Sequence, residues 1–194
     1  MDELRLSGER VALRRVTEPD LEDLLALLQE PAVARWWGDY DAARTRRELL
    51  DDPDVEAFVV EVGGATAGVL AVEEENEPDY RHAALDISLG TDHQGQGLGR
   101  EALRVAIDHL IAERGHHRFT IDPAADNEMA IRCYAAVGFK PVGVMRRYEL
   151  GRDGTWRDGL LMDLLADELV TGDPGSETGG PRDRPGPQAG GGSQ

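Results

Sequence analysis

The chain has 194 residues, of which 40% are hydrophobic and 30% charged, and a formal net charge of -17. That length suits one domain with its own core, and no apolar run approaches the roughly 20 residues that cross a bilayer, so no membrane partner is expected. The acidic excess repels phosphate backbones, which makes nucleic acid a poor partner, and it attracts cations.

Met1-Asp2-Glu3-Leu4-Arg5 opens the chain without an apolar leader, and the single thiol, Cys133, permits no internal disulfide. Both fit a reducing, cytoplasmic setting. Residues 9–15 alternate around Val11 and Leu13 and predict a first strand. Thr17, with Asp20 three residues on, marks a helix start. Leu21, Leu24, Leu25 and Leu28 then recur at the spacing of an amphipathic helix. Trp36 and Trp37 fall in a loop after it, and a short second helix is expected over residues 41–50. Residues 57–62 and 66–73 are strand-like and joined by Gly63-Gly64, a hairpin signal. Residues 83–89 form a further strand, ended by Gly90. A helix over residues 98–113 gathers Leu103, Ile107, Leu110 and Ile111 on one face. Arg118–Ile121 is a short strand. Residues 127–137 form a helix that Gly138 is placed to end. The strands Lys140–Leu150 and 155–165 flank a turn at Gly151-Arg152-Asp153-Gly154. The order βααβββαβαββ describes a mixed sheet with helices packed on it, an α+β (or α/β) domain over residues 1–170. Residues 171–194 are Gly/Pro-rich and hold no large apolar side chain, so they cannot offset the entropy of ordering and predict a disordered tail. That tail carries a charge of -1, leaving -16 for the folded part.

The sharpest local feature is Gln94-Gly95-Gln96-Gly97-Leu98-Gly99, which follows a strand and opens a helix. Glycines there let the backbone approach a ligand and turn its N–H groups to one side. The positive end of the helix adds to the attraction for an anion, and a phosphate or pyrophosphate is the natural guest. No Lys follows the loop, so it is not a nucleoside-triphosphate loop. Its glycines are spaced two apart, which does not match a dinucleotide fingerprint.

The spacing Gln-x-x-Gly-x-Gly after a strand resembles the pyrophosphate-binding motif of the GCN5-related N-acetyltransferases. Asn127 through Ala130, Tyr134, Gly138 and Phe139 resembles a second stretch of the same family, about 30 residues on. The resemblance covers roughly residues 9–165 and implies a central, mostly antiparallel, splayed sheet flanked by helices. It implies acetyl-coenzyme A as cosubstrate, with Gln94, Gly95, Gln96, Gly97, Leu98 and Gly99 holding its pyrophosphate. The backbone of Ile87, Ser88 and Leu89 would hold the pantetheine arm, together with Asn127. Tyr134, near the coenzyme sulfur, would be the general acid.

The residues themselves leave alternatives open. Tyr134 suits proton donation to a thiolate, since a phenol stays protonated at neutral pH, but it also suits a core position on its helix. Asn127 can serve the first turn of its own helix. Asp86 is an acid amid sheet residues and needs a partner, which makes it a candidate base. Glu73, Glu74, Glu75, Glu77, Asp79 and Asp122 are further acids that can gather at the substrate side or be solvated. Crowded carboxylates raise one another's pKa, as a base requires. The histidines show no ligand spacing with Cys or acids, so no metal is expected.

Within the family, Pro31 to Gly38, Glu73-Glu74-Glu75 with Asp86, and Ile121-Asp122-Pro123 resemble the aminoglycoside 6'-N-acetyltransferases. That resemblance implies Trp36, Trp37, Glu74, Asp86 and Asp122 at the acceptor site and a cationic small-molecule amine as acceptor. Arg146-Arg147-Tyr148 and Trp156-Arg157-Asp158 depart from that subfamily and resemble acetyltransferases of protein N-termini or polyamines. The tryptophan pair also occurs in acyltransferases of siderophore precursors. A coenzyme-binding module without turnover is the remaining alternative. Monomer and homodimer are both open.

Overall fold

The computed structural model describes residues 4–170 and Gly172. The tail expected over residues 171–194 therefore lies, Gly172 aside, outside the described residues.

The chain begins with strands β1 (Arg5–Ser7) and β2 (Val11–Arg15), which pair antiparallel. Helices α1 (Leu21–Leu28), α2 (Pro31–Trp37) and α3 (Ala42–Arg46) follow, the last running into a π turn at Arg47–Asp51. Then come β3 (Val55–Val62), β4 (Ala65–Glu75), β5 (His82–Leu89), α4 (Leu98–Arg114), β6 (Arg118–Ile121), α5 (Glu128–Ala135), β7 (Lys140–Leu150) and β8 (Trp156–Leu165). Among the described residues the eight strands form one sheet in the order β1-β2-β3-β4-β5-β6-β8-β7. Every neighbouring pair is antiparallel except β5 and β6.

Alternation along the strands builds two cores. On β3 and β4, Phe58, Val60, Leu70 and Val72 face α4 and α5. Their neighbours Ala57, Val59 and Val69 face α1, α2 and Leu49 of the π turn. From α4 the stripe Leu98, Ala102, Leu103, Ala106, Ile107 and Leu110 is buried against the first face. Each such large aliphatic side chain contributes about 1.5–3 kcal/mol when fully withdrawn from water.

Three expectations are corrected. β1 was not foreseen, because three residues carry too little pattern. The tryptophans lie on α2 rather than in a loop. Pro31 supplies a preset φ for its first turn and Gly38, at φ 80°, ends it, so the helix spans only seven residues and shows little periodicity. The helix expected over residues 127–137 is shorter, because the amides of Gly138 and Phe139 both turn back to the Tyr134 carbonyl.

One irregularity matters most. β5 and β6 pair only at Ala83↔Phe119 and Ala84↔Thr120. Beyond that point β5 runs on to Leu89, paired with β4 alone. The chain leaving β6 turns instead toward β8, where Ala124 bridges Gly159 and Leu160 N–H donates to the Pro123 carbonyl (2.8 Å). The sheet is therefore splayed between β5 and β6. No helix among the described residues is long and apolar enough to cross a membrane.

Asp20 ties the first strands to α1. It accepts two bonds from Arg14 (2.6 and 2.7 Å) and two from Thr17 (2.6 and 2.8 Å). The Arg14 guanidinium above all holds its carboxyl down at about 2, against 3.8 ordinarily. A depressed folded-state pKa means this stability is present above 3.8 and is lost as pH falls through about 2. Asp20→Asn should therefore cost about 2 kcal/mol at neutral pH and flatten the acid limb of stability. Urea unfolding of both proteins from pH 7 to pH 2 checks this.

Candidate active site

The loop before α4 is held by its glycines and by one distant strand turn. Gly95 and Gly97 stand at φ 70° and 81°, where side chains are strained. Among the described residues, the amides of Gly95, Gln96, Gly97, Leu98 and Gly99 donate to no backbone carbonyl. Two guanidiniums flank them: a Cβ on Gly97 would lie 3.0 Å from Arg100 Nη2 and 3.4 Å from Arg10 Nη2. Arg10 reaches the loop because Glu101 of α4 accepts its backbone and side-chain N–H groups (2.6 and 2.9 Å), and it donates in turn to the Gln96 carbonyl (3.0 Å). Gly8 makes this possible, since a Cβ there would stand 2.7 Å from Glu101 Oε1. Free amides, a helix N-terminus and two cations together fit a pyrophosphate.

The loop opens into a cavity of about 330 Å³ that runs along the splay. Its walls include Ile87, Ser88 and Leu89 of β5, Trp36 and Trp37 of α2, and Asn127, Cys133 and Tyr134 of the α5 segment. On the β6 side these β5 residues have no strand partner, so their main chain faces the gap. Gln94 closes one end by donating to the Leu89 carbonyl (2.8 Å). Asn127 Oδ1 caps α5 by accepting from Ala130 N–H (3.2 Å), which leaves its amide hydrogens for a ligand. Tyr134 is buried edge-on against Phe139, with ring centroids 6.3 Å apart. Burial first, then the charge of Asp86, pushes its phenol well above the usual range, so it is a held proton. Burial also pushes the Cys133 thiol up to about 11, which leaves it un-ionised.

Asp86 stands on the face of β5 opposite Leu85 and Ile87, where its side chain remains exposed to solvent although the protein crowds its carboxyl. That desolvation, then the nearby charges of Asp122, Glu149 and Glu73, pushes its carboxyl up to about 7, although the Ile87 amide opposes the shift. The Tyr148 hydroxyl bonds Asp122 and is pushed up to about 12 by that bond and by burial. Glu149 is raised as well, by burial and then by Asp122, with Arg157 opposing. Near Asp86, Trp37 and Tyr40 stand 6.1 Å apart, and Tyr40 donates to Glu48 (2.8 Å). A group of carboxylates beside aromatic faces can hold a cation and take a proton from it.

Of the residues expected here, one stands elsewhere and one serves by its backbone alone. Glu74 does not join the group. Strand alternation turns it to the α4 face, opposite Glu73, where it binds Arg114 and His116. Gln96 turns its side chain back to the Asp92 carbonyl (2.6 Å) and does not line the cavity, so only its backbone serves the loop. Trp36, Trp37, Asp86, Asp122, Asn127 and Tyr134 are gathered around the splay. Arg10, Tyr40 and Glu149 were missed, because they come from distant elements with no motif of their own; Tyr148 was noted only within Arg146-Arg147-Tyr148 and not as a site residue. Arg100 lies in the first turn of α4. A cation in the first turn of a helix opposes the dipole and so points to an anionic partner.

The family model of the acetyltransferase (GNAT) domain matches residues 10–140. The chain is 28% identical over 170 residues to spermidine N(1)-acetyltransferase from Escherichia coli (strain K12), covering 84% of this chain and 90% of that protein. It is also 28% identical over 159 residues to aminoglycoside N(6')-acetyltransferase type 1 from Klebsiella pneumoniae, covering 72% and 78%. Its fold is similar to that of spermidine N-acetyltransferase from Vibrio cholerae, solved in complex with CoA and spermine, with a TM-score of 0.72 and 21% identity over 83% of this chain and 98% of that one.

Gly97→Val would force a β-branched residue into the left-handed region, with its Cβ against the two guanidiniums. Calorimetric titration with coenzyme A should show affinity reduced by at least about tenfold, with the circular dichroism spectrum unchanged.

Proposed function

Since the chain belongs to the GNAT acetyltransferase family and uses acetyl-CoA as its acetyl donor, we propose that it acetylates a primary amine of a polycationic small molecule, first of all the 6'-amine of an aminoglycoside. The observation that carries this reading is the group of acids, Asp122, Glu149 and Glu73, gathered around Asp86. Asp86, Asp122, Glu149 and Glu73 would together receive several ammonium groups. A peptide α-amine brings one charge to these four acids and leaves the rest unmatched. The half-buried faces of Trp36 and Trp37 suit a sugar ring. A linear polyamine is the second reading, favoured by the larger share of the chain that the spermidine acetyltransferase covers. The lone, un-ionised Cys133 accords with a cytoplasmic enzyme.

In this reading acetyl-CoA supplies an acetyl thioester. The amides of residues 95–99, with Arg10 and Arg100, bind its pyrophosphate. The exposed main chain of Ile87 to Leu89 and the Asn127 carboxamide align the pantetheine arm, and a β5 amide polarises the acyl oxygen. Asp86, ionised above about 7, takes the proton of the incoming ammonium, directly or through water. Tyr134 keeps its proton until the departing sulfur needs it. Holding both reactants at the splay supplies much of the acceleration.

Thiol release from acetyl-CoA, measured with aminoglycosides, spermidine, spermine and peptides, tests the acceptor class. Turnover with the polycations supports the reading, and activity confined to peptides would remove it. Tyr134→Phe should lower kcat on the order of 100-fold with coenzyme affinity unchanged; a wild-type rate would show that the phenol is not the acid. Because the base works ionised, kcat/KM should climb with pH through about 7 and level off above it. Asp86→Asn should abolish that inflection, as a pH–rate profile would show.

A further inference from the structure

β7 and β8 lose register in an unusual way. Met145 pairs with Gly159, and the next pair is Glu149 with Arg157. Residues 146–148 therefore bulge opposite the single residue Asp158. Two extra residues draw Tyr148 and Glu149 about 7 Å back along the strand direction, toward the splay. At the crest, Arg147 has φ 51°, the one positive value at a non-glycine among the described residues. Its N–H donates to Asp158 Oδ1 (2.8 Å). The carbonyl of the same Asp158 accepts from Ala125 N–H (2.8 Å), three residues beyond Asp122. Gly159 completes the arrangement, because the Tyr148 ring lies against it; a Cβ there would stand 2.9 Å from Tyr148 Cδ1.

We propose that Asp158 is a positioning residue: its side chain holds the β7 bulge and its carbonyl holds the segment after Asp122, so that Tyr148, Glu149 and Asp122 meet at the acceptor site. The inference rests on the reading that this site takes the acceptor amine. Asp158 itself touches neither reactant. Its carboxylate fixes a backbone conformation that arginine seldom adopts. Without that bond Arg147 relaxes to negative φ, the bulge shifts, and Tyr148 and Glu149 leave Asp122. The glycine loop, on the far side of the splay, is untouched.

The test compares the wild type with Asp158→Ala, Asp158→Asn and Asp158→Ala/Arg147→Gly. The acceptor is whichever amine of the panel the wild type turns over fastest. Asp158→Ala should raise the acceptor KM by about tenfold or more and leave the acetyl-CoA KM within about twofold. Asp158→Asn keeps an acceptor oxygen and should behave like the wild type. Arg147→Gly, in the alanine background, should restore most of the lost affinity, since glycine takes φ 51° without help. An unchanged acceptor KM in Asp158→Ala, an equal rise in both KM values, or no rescue by Arg147→Gly would each overturn the proposal. Hydrogen exchange on the wild type gives a second measurement that does not depend on the variants folding. The Arg147 amide should be protected, and exchange at the free-peptide rate would overturn the bracket. If the fastest acceptor proves to be a peptide, the polycation reading fails, while the Asp158 comparison still decides the bracket on that peptide.

Discussion

The separation of β5 from β6 is the constraint on which the rest of this structure depends. A buried backbone amide or carbonyl left without a partner is costly, and sheets ordinarily avoid it. Here β5 keeps its β4 partner to Leu89 but has no β6 partner beyond Ala84. The half-paired main chain borders a cavity, and an extended ligand arm can complete its hydrogen bonding. The glycine loop follows at once from β5, so anion-binding amides and open strand edge form one continuous track.

The charges are divided between the two ends of that track. Arg10 and Arg100 stand at the loop, whereas Asp86, Asp122, Glu149 and Glu73 lie beyond the splay. A net charge of -17 favours a cationic visitor at the acidic end and opposes an anionic one at the other. The local cations and amides overcome that opposition at short range, where screening is weak. Asp86 and Tyr134 respond to the same surroundings in opposite ways that both suit proton transfer. Burial and neighbouring acids lift both, which brings the carboxyl near neutrality and carries the phenol well above it.

Much of the chain could be read directly from the sequence. The leucine spacing of α1, the Gly63-Gly64 hairpin and the strand before the glycine loop are local patterns, and they appear as α1, the β3–β4 hairpin and β5. α2 was hidden because a seven-residue helix opened by Pro31 looks like a loop. Glu74 was misjudged because an acidic run does not reveal which of its members faces which side. The pairing of Glu73 with Ala84 and Glu74 with Ala83 decides that, and sends Glu74 to Arg114 and His116.

The sequence by itself determined the glycine loop, its helix and the Asn127-to-Phe139 stretch, because each is specified by residues within a few positions of one another. Only the tertiary structure decided which acids face Asp86, how Arg10 reaches a loop more than eighty residues away, and where Tyr148 and Glu149 stand. These depend on strand register and on one bulge held by Asp158, and register is a relation between distant segments that no local pattern encodes.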